Sequence, residues 1–175
     1  TATTEIYTLS LHDALPISEQ NPIYMKNYQL SVFNAVLKPG INDKNAVADF
    51  LFEHLDQFGD KKEDIMKAID FSVKDRASFG GFTLVAKENG SIIGAVVVNQ
   101  TGMEGYIPEN ILVYIATHRN YRGKGVGKSL MQEAINMAHG DIALHVEPDN
   151  PARHLYQKLG FDNKYLEMRL KKETV

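Results

Sequence analysis

Residues 115–129 read IATHRNYRGKGVGKS, and this stretch carries the most informative pattern in the chain. It joins an apolar run, typical of a buried strand, to a run in which apolar residues recur at helical spacing. Within it, the segment Arg122–Lys128, here called the glycine turn, holds three glycines and three cationic side chains. Glycine lets the backbone approach a bulky anion, and the unpartnered N–H groups at a helix start attract negative charge. The glycine turn is therefore predicted to bind a ligand that carries phosphate.

Two common nucleotide-binding motifs share part of this pattern. The tripeptide Gly-Lys-Ser at 127–129 matches the end of a P-loop, but that motif requires a glycine where this chain has Arg122. The Gly-Lys-Gly at 123–125 matches the start of a dinucleotide fingerprint, whose third glycine would fall at Lys128. Neither motif follows the opening βαβ unit that it needs. A P-loop nucleotide binder is thus the weaker hypothesis.

The sequence on both sides of the glycine turn predicts an α/β domain with a mixed sheet. The predicted order is strand, two helices, three strands, helix, strand, helix and strand. The predicted strands are 28–36, 81–87, 91–98, 111–117, 141–147 and 165–172, with Glu88-Asn89-Gly90 as a hairpin turn between the second and third. The predicted helices run from an Asn42 or Asp43 cap to Phe58, from an Asp60 cap through Val73, over 125–139, and from an Asn150 cap and Pro151 to Leu159.

Length and composition exclude several classes of protein. A chain of 175 residues has the size of one domain, and 43% hydrophobic and 23% charged residues are ordinary for a globular protein. The longest apolar runs fall far short of the ~20 residues of a bilayer span, so no membrane association is predicted. A net charge of −3 gives no indication of a nucleic-acid partner.

The absence of cysteine removes disulfides, thiol catalysis and cysteine–zinc sites from consideration. His145-Val146-Glu147 matches the first part of a zinc deaminase signature, but the two cysteines that complete this signature are missing. The other histidines do not have the spacing of metal ligands. No metal is predicted, and because no signal segment is recognisable, the protein is expected to be cytoplasmic.

Residues 1–24 differ from the rest of the chain. They contain Glu5, Asp13 and Glu19 and no Lys or Arg, so their removal takes the net charge from −3 to 0. The string EIYTLSLHDALPIS resembles a translated sequencing adapter, which would make Met25 the natural start; a disordered tail is the alternative. In both interpretations we expect 1–24 to be a non-functional leader and 25–175 to be a single domain.

The pattern that fits the whole chain is Arg-x-x-Gly-x-Gly, formed by Arg122, Gly125 and Gly127, followed by ARHLYQKLGF at 152–161. Together the two motifs, in this element order, resemble the GNAT superfamily of acyl-CoA-dependent N-acyltransferases over about residues 29–170. The resemblance implies a mixed, mostly antiparallel sheet with splayed central parallel strands, flanked by four helices. Family members commonly have two strands after the second motif, whereas only 14 residues follow Phe161 here. One long strand or a short bent pair is expected there.

The resemblance also implies how acetyl-CoA is held. In this family the pyrophosphate lies on the turn between the fourth strand and the third helix, and the pantetheine arm follows the end of the fourth strand. A backbone amide there would polarise the thioester carbonyl and stabilise the oxyanion. Asn150 matches a frequent asparagine that holds the pantetheine arm, with a plain helix cap as the alternative. The implied acetyl-CoA contacts are Ile115, Ala116, Thr117, Arg122, Gly123, Lys124, Gly125, Val126, Gly127, Lys128, Ser129 and Asn150.

The resemblance implies a general acid and leaves several candidates for the general base. Tyr156 matches the family's frequent general acid, which would protonate the leaving thiolate; packing in the core is the alternative. An amine with a pKa near ~10 must lose a proton before it attacks, and the resemblance does not fix the base. Glu147 is the preferred candidate, and Glu109 and Glu104 are the other two, each with ordinary surface charge as its alternative. His118 lies beside the glycine turn and is interpreted as a loop residue.

The acceptor site is implied between the first two helices and the loop before the fourth strand. Acidic residues in these segments would suit a cationic amine, unless they form an ordinary solvated surface: Asp56, Asp60, Glu63, Glu104 and Glu109. The predicted activity is transfer of an acetyl group from acetyl-CoA to a small amine or a peptide amine. A non-catalytic acyl-CoA-binding module is the alternative, and a monomer or a homodimer is expected.

Overall fold

A computed structural model describes residues 28–172, and the predicted leader lies outside them. The strands in chain order are β1 Gln29–Asn34, β2 Gly81–Glu88, β3 Ser91–Gln100, β4 Asn110–Thr117 and β5 Ile142–Leu144. The α-helices are α1 Ile41–His54, α2 Lys62–Ser72, α3 Val126–Met137 and α4 Arg153–Lys158. Two short 3-10 turns, Asp56–Phe58 and Arg119–Tyr121, follow α1 and β4.

The strands form one sheet in the order β1-β2-β3-β4-β5. The pairs β1–β2, β2–β3 and β3–β4 are antiparallel, whereas the pair β4–β5 is parallel. The parallel ladder has only three residue pairs, from Asn110 with Ile142 to Leu112 with Leu144. This mixed, mostly antiparallel sheet, with the four helices beside it, confirms the predicted fold class.

A bulge in β4 lies where the β5 ladder ends. Val97 pairs with Tyr114 and Val98 pairs with Leu112, so Val113 is an extra residue on β4. As a consequence Val113 and Tyr114 both pack on the side of α1 and α2, whereas Leu112 packs on the side of α3. From 113 to 117, the edge of β4 that faces β5 has no strand partner within the described part of the chain. We call this segment the open edge of β4.

Two hydrophobic clusters hold the helices on opposite faces of the sheet. Alternation along β3 sends Val96 to the cluster of α3 and α4, and Val97 to the cluster of α1 and α2. Leu130 of α3 and Ile69 of α2 are fully buried on these two faces. Burial of such a side chain stabilises a fold by about 1.5–3 kcal/mol, so the two clusters fix the helices that frame the glycine turn.

The predicted hairpin is confirmed. Asn89 and Gly90 join β2 to β3 with φ angles of +50° and +81°. Positive φ at both central residues is the signature of a type I′ turn, which matches the twist of the flanking strands. The turn residues therefore set the register of the central strands.

The ends of α1 differ from the prediction. The helix begins after Gly40 without a side-chain cap, so the assignment of Asn42 or Asp43 as the cap is wrong. It ends at His54 rather than Phe58, because Asp56 has a φ of +53° and interrupts the helical backbone.

α2 and α4 also begin later than predicted. α2 begins at Lys62 without a side-chain cap, so the assignment of Asp60 as the cap is wrong. The Asp60 carboxylate instead accepts a hydrogen bond from the Tyr114 hydroxyl at 2.7 Å. α4 begins two residues after the predicted start. Asn150 still stabilises the entry to this helix, because its Oδ1 accepts the Ala152 N–H at 2.9 Å.

Two predicted strands are shorter or absent. The strand predicted over 141–147 stops at Leu144, the last residue opposite β4 before the bulge. Residues 165–172 form irregular backbone, so the prediction of a final strand there is wrong. Leu166, Met168 and Leu170 alternate as in a strand but are exposed. Alternation predicts a strand only where a neighbour accepts the backbone hydrogen bonds, and these residues have none among the strands described.

Candidate functional site

The glycine turn lies between the carboxyl end of β4 and the amino end of α3. Gly123 and Gly125 have φ angles of +75° and +85°, and a Cβ atom at either position would project into open space. No hydrogen bond between described residues uses the N–H groups of Gly123, Gly125, or the first three residues of α3. The turn therefore presents several free N–H donors and the positive end of a helix dipole toward the same open surface.

A cavity of about 240 Å³ adjoins these donors and is lined by Gly125, Lys128, Ser129 and Gln132. Lys128 and Lys124 are exposed, and the Lys124 ammonium lies 5.2 Å from the centre of the Tyr121 ring. Free amides, a lysine and a serine hydroxyl are donors that suit phosphate oxygens. The residues at this turn therefore fit a pyrophosphate group.

Gly127 serves a different purpose from the other two glycines. A Cβ atom on Gly127 would lie 3.1 Å from Oγ1 of Thr117, closer than side chains normally pack. Its lack of a side chain lets α3 approach the end of β4. The open edge of β4 and the free amides of α3 are thereby brought side by side.

The Arg122 side chain points to the end of α1. Its guanidinium lies 2.9 Å from Oδ2 of Asp56, donates to the His54 carbonyl at 2.8 Å and donates to the Thr117 carbonyl at 3.3 Å. The structure shows the charge of Arg122 paired with Asp56. That Arg122 also attracts a phosphate group therefore stays a prediction.

Asp56 binds a second arginine of the same loop. Arg119 lies 3.1 Å from Oδ1 of Asp56 and also donates to the Glu53 carbonyl at 2.9 Å. The hydrogen bonds from Arg122 and Arg119 hold the pKa of Asp56 below its usual range. We call this group, with the Glu53 and His54 carbonyls, the Asp56 cluster.

Tyr121 fixes the turn from the other side. Its hydroxyl donates to Oε2 of Glu88 at the end of β2, and this hydrogen bond raises the pKa of Tyr121. The glycine turn is therefore attached both to α1 and to the β2–β3 hairpin before any ligand binds.

Tyr156, the predicted general acid, lies on α4 and is 7% exposed. Its ring packs in the cluster of α3 and α4, 6.0 Å from the Phe161 ring. Burial raises the pKa of Tyr156 to about 12, so the phenol is neutral near pH 7 and holds a proton to give. No hydrogen bond between described residues uses its hydroxyl. Ile115 of the open edge packs against the same cluster.

The other predicted acetyl-CoA contacts of β4 lie on the open edge. Ala116 is buried and Thr117 is half-buried. The opposite edge of these residues pairs with β3, where Ala116 is opposite Ala95 and Thr117 is opposite Gly94. One edge of the strand is thus held by the sheet while the other is available to an extended ligand.

Glu109 is separated from this arrangement. It precedes β4, whereas the glycine turn follows it, and eight residues of strand span roughly 25 Å. Oε2 of Glu109 accepts the Asp141 N–H at 2.7 Å, and Oε1 accepts the Gly105 N–H at 3.1 Å. These backbone hydrogen bonds hold the pKa of Glu109 below its usual range. The contacts indicate that Glu109 orders the loop before β4.

Glu147 and Asn150 lie beyond β5, on the chain that leaves the sheet. Glu147 is exposed, and its carbonyl accepts the Asn150 N–H at 3.0 Å. The Asn150 side chain uses Oδ1 to stabilise the start of α4. Glu104 lies in the exposed loop before β4, and His118 accepts the Asn120 N–H in the 3-10 turn after it.

Sequence reasoning missed the polar contacts between the α1–α2 connection, residues 55–61, and β4. Tyr114 is buried, and its hydroxyl reaches Asp60 across this interface. Burial, followed by the hydrogen bond to Asp60, raises the pKa of Tyr114. A tyrosine within an otherwise apolar strand was the available signal, but the bulge that aims it at the α1–α2 connection has no sequence signature.

His54 was also missed. It is 6% exposed, and its ring lies 4.6 Å from Phe50 and 4.5 Å from His118, measured between ring centres. Burial is the main cause that lowers the pKa of His54. Its Nδ1 is buried without a hydrogen-bond partner among residues 28–172.

Residues 28–172 lack two features that would point to other functions. No helix there is long and apolar enough to cross a membrane. The same residues contain no group of three or more His, Asp or Glu side chains arranged to hold a metal ion.

Similarity to known proteins agrees with the fold. A curated relative, N-alpha-acetyltransferase 30 of Schizosaccharomyces pombe, is 33% identical over 85 residues. The match covers 46% of this chain and 57% of the relative, so the chain spans little more than half the length of that protein.

Solved structures share the fold at low sequence identity. The aminoglycoside N-acetyltransferase AAC(6')-Iy, solved in complex with CoA, has a TM-score of 0.61 at 16% identity, covering 84% of this chain and 95% of that one. A ribosomal-protein-alanine N-acetyltransferase of Brucella melitensis has a TM-score of 0.56 at 17% identity, covering 83% and 99%. At these identities the likeness shows the fold alone. A model described as the acetyltransferase (GNAT) family matches residues 46–161, more than half of the chain. The protein therefore belongs to the GNAT family of acetyltransferases.

Proposed function

We propose that this protein transfers an acetyl group from acetyl-CoA to a primary amine, by direct attack in a ternary complex. The observation that carries the proposal is the position of the glycine turn. Its unused N–H groups lie beside the open edge of β4, and Ile115 of that edge packs against the hydrophobic cluster that contains the buried Tyr156. This arrangement supports the proposal, because a pyrophosphate, an extended arm and a proton donor would need donors, an unpaired strand edge and a phenol in one region.

Each part of the chain would have a separate role in holding acetyl-CoA. Within the glycine turn, the amides of Gly123 and of 125–128, together with the Ser129 hydroxyl, would bind the pyrophosphate, with Lys124 and Lys128 adding positive charge. The backbone groups of 115–117 that neither β3 nor Arg122 uses would align the pantetheine arm, and Asn150 would contact it from the opposite wall. Acetyl-CoA bound in this way supplies an activated acyl group.

The chemistry needs one proton removed and one proton given. The acceptor nitrogen forms a bond to the thioester carbonyl carbon, the carbon–sulfur bond breaks, and the nitrogen loses its extra proton. Tyr156 would donate its phenolic proton to the leaving sulfur, since a phenol carries its proton near pH 7. An N–H of the open edge would hydrogen-bond the carbonyl oxygen as negative charge develops there.

For the base we propose Glu147, acting directly or through a water molecule. It lies at the end of the segment that diverges from β4, and its carboxylate makes no ion pair among the described residues. Glu109 is the weaker candidate, because both of its oxygens accept backbone N–H groups at the far end of β4.

Among amines, a peptide N-terminus is the acceptor to test before small amines. The relative with 33% identity is named as an N-alpha-acetyltransferase, and one structural neighbour is named for a ribosomal-protein alanine. The acidic residues expected to attract a cation are partly engaged within the protein: Asp56 binds two arginines, and Asp60 binds Tyr114. General attraction for polycations is thus a weaker basis for choosing an acceptor.

The test is a melting curve of the full chain with acetyl-CoA, with ATP and NAD as parallel controls. Ligand at 100 times its dissociation constant stabilises a fold by ~2.7 kcal/mol, which gives a clear rise in Tm. We expect the rise with acetyl-CoA alone, followed by amine-dependent release of free thiol. No rise at millimolar acetyl-CoA would refute the proposal, and a rise with ATP alone would favour a P-loop nucleotide binder. Binding without thiol release from any amine would favour a non-catalytic acyl-CoA module.

A further inference from the structure

The α1–α2 connection is attached to the proposed acetyl-CoA site at both of its ends. Near its start, Asp56 binds Arg122, the first residue of the glycine turn, and Arg119, which precedes the turn on the side of β4. At its other end, Asp60 accepts a hydrogen bond from the Tyr114 hydroxyl, next to the bulge where the open edge begins.

The arginines do more than neutralise Asp56. The last carbonyls of a helix lack partners within that helix, and positive charge at this end is favourable. Arg119 donates to the Glu53 carbonyl at 2.9 Å, and Arg122 donates to the His54 carbonyl at 2.8 Å. The loop after β4 therefore supplies both the cap for α1 and the counter-ions for the residue that turns the chain away from it.

Asp56 adopts a conformation that needs such support. Its φ of +53° is uncommon for a residue other than glycine, although aspartate tolerates it better than most. Gln57 and Asp60, on either side of Phe58 and Gly59, are exposed, and no hydrophobic cluster holds them. Leu55, at the start of the connection, packs against the cluster of α1 and α2. The position of the residues after Leu55 thus depends largely on the Asp56 cluster and on the Tyr114 hydrogen bond.

We propose that Asp56 is a positioning residue that couples the glycine turn to the α1–α2 connection, so that acyl-CoA binding at the turn orders residues 53–61. The inference rests on the proposed function, because that function places the ligand at the turn and the acceptor beside the connection. Arg122 lies within the turn, and its guanidinium pairs with Asp56 and donates a hydrogen bond to the last carbonyl of α1. A ligand that immobilises the turn therefore immobilises the residues to which this side chain is bonded.

Coupling of this kind is reciprocal. If bound acyl-CoA stabilises the Asp56 cluster, then an intact cluster must strengthen acyl-CoA binding by the same factor. Coupling between sites is typically about 5-fold to 150-fold in affinity. Loss of the Asp56 charge is therefore expected to weaken acetyl-CoA binding by about 5-fold to 10-fold while the amides that contact the pyrophosphate are unchanged.

The experiment is hydrogen–deuterium exchange of the full chain, with and without saturating acetyl-CoA, on the wild type, Asp56→Asn and Asp64→Asn. Asp64 is a matched control, because it is an exposed carboxylate of α2 whose ion-pair partner among residues 28–172 is Lys67 on its own helix. In the wild type and Asp64→Asn, acetyl-CoA should slow exchange at both 122–129 and 53–61, by about tenfold or more. In Asp56→Asn, acetyl-CoA should still protect 122–129 but should change exchange at 53–61 by less than twofold.

Two results would overturn the coupling. One is protection of 53–61 by acetyl-CoA that is the same in Asp56→Asn as in the wild type. The other is wild-type protein in which acetyl-CoA protects 122–129 and leaves 53–61 unchanged. Failure of the wild type to bind acetyl-CoA at all would instead refute the proposed function. Should Asp56→Asn fail to fold, Arg119→Gln removes one of the two ion pairs, and the same comparison decides the question.

Discussion

At the scale of single residues, Tyr156 is the side chain whose surroundings best match its proposed task. A proton donor for a thiolate must be neutral at the working pH, as a phenol is near pH 7, and must lie near the reacting atoms. Tyr156 belongs to the buried cluster against which Ile115 of the open edge packs. Tyr165, by comparison, is 76% exposed on the irregular segment after α4. The two tyrosines therefore form a matched pair for testing whether a phenol near the open edge is needed.

Tyr156→Phe keeps the packing of the ring and removes only the hydroxyl. We expect kcat to fall by about 100-fold or more, the lower end of the usual contribution of general acid catalysis, with acetyl-CoA affinity unchanged within about twofold. Steady-state kinetics and a binding titration measure the two quantities, and Tyr165→Phe should match the wild type in both. An unchanged kcat in Tyr156→Phe would remove Tyr156 from the mechanism.

His54 gives a prediction about pH and stability. Its pKa in the folded protein is lowered by burial, so the unfolded state takes up a proton first as the pH falls. The stability that neutral His54 contributes is complete above its unfolded pKa of about 6.5 and is lost as the pH drops through its lower folded pKa.

His54→Phe removes the titrating group and keeps an aromatic ring beside Phe50 and His118. Denaturant unfolding between pH 7.5 and 5 should show a weaker loss of stability for this variant than for the wild type. His139→Phe, at an exposed position after α3, should keep the wild-type slope. Equal slopes for His54→Phe and the wild type would show that His54 does not titrate differently on folding.

At the scale of elements, the glycine turn depends on the left-handed backbone that opens α3. Gly125 precedes the helix with a φ of +85°, and Gly90 in the β2–β3 hairpin has a φ of +81°. A Cβ atom at either position meets no other atom within 4 Å. The two glycines therefore impose nearly the same backbone requirement, one beside the proposed ligand and one away from it.

Gly125→Ala and Gly90→Ala should each lower the free energy of unfolding by about 1–2 kcal/mol, because an L-residue disfavours the left-handed region. Only Gly125→Ala should also weaken acetyl-CoA binding, by about tenfold or more, because its methyl group projects toward the cavity beside Lys128. Isothermal titration of both variants makes the comparison. Equal affinity of the two variants for acetyl-CoA would place the pyrophosphate elsewhere.

Elements that depend on local sequence are predicted correctly, whereas those that depend on contacts far along the chain are not. Hydrophobic period and turn residues identify the central strands, and the two glycine-containing motifs identify the family, because those features are local. The end of β5 at Leu144 and the position of Tyr114 depend on a bulge at Val113. This bulge arises from the way β4 pairs with β3, and no local sequence pattern marks it. Helix caps failed at Asp60 for a related reason: a better partner, the Tyr114 hydroxyl, lies far away in sequence.

At the scale of the whole molecule, one ionic network joins the segment after β1 to both helices of the α1–α2 pair. Asp75, just after α2, lies 2.8 Å from the ammonium groups of Lys38 and Lys44. Lys44 belongs to α1, and it also lies 2.7 Å from Asp70 of α2. The network therefore holds together three parts of the chain that the sheet does not connect directly.

Acid should weaken this network in a defined pH window. Hydrogen bonds from Lys38 and Lys44 lower the pKa of Asp75 from 3.8 to about 2. The unfolded chain thus binds a proton at Asp75 before the folded protein does, so the stability contributed by this carboxylate is present above pH 3.8 and is lost as the pH falls toward 2. In Asp75→Asn the charge is absent at every pH, and the stability of this variant should fall less steeply over the same window.

Asp49→Asn is the matched control for that measurement, because Asp49 is an exposed carboxylate of α1 that pairs with Lys62 of α2. Urea unfolding at several values between pH 5 and 2.5 should give parallel curves for the wild type and Asp49→Asn, and a flatter curve for Asp75→Asn. If the stability of Asp75→Asn falls with pH in parallel with that of the wild type, the ion pairs with Lys38 and Lys44 do not stabilise the charged form of Asp75 in the folded protein. Of the polar contacts between α1 and α2, the Lys44–Asp70 and Asp49–Lys62 pairs would remain, and Asp75 would add no stability beyond that of an exposed carboxylate.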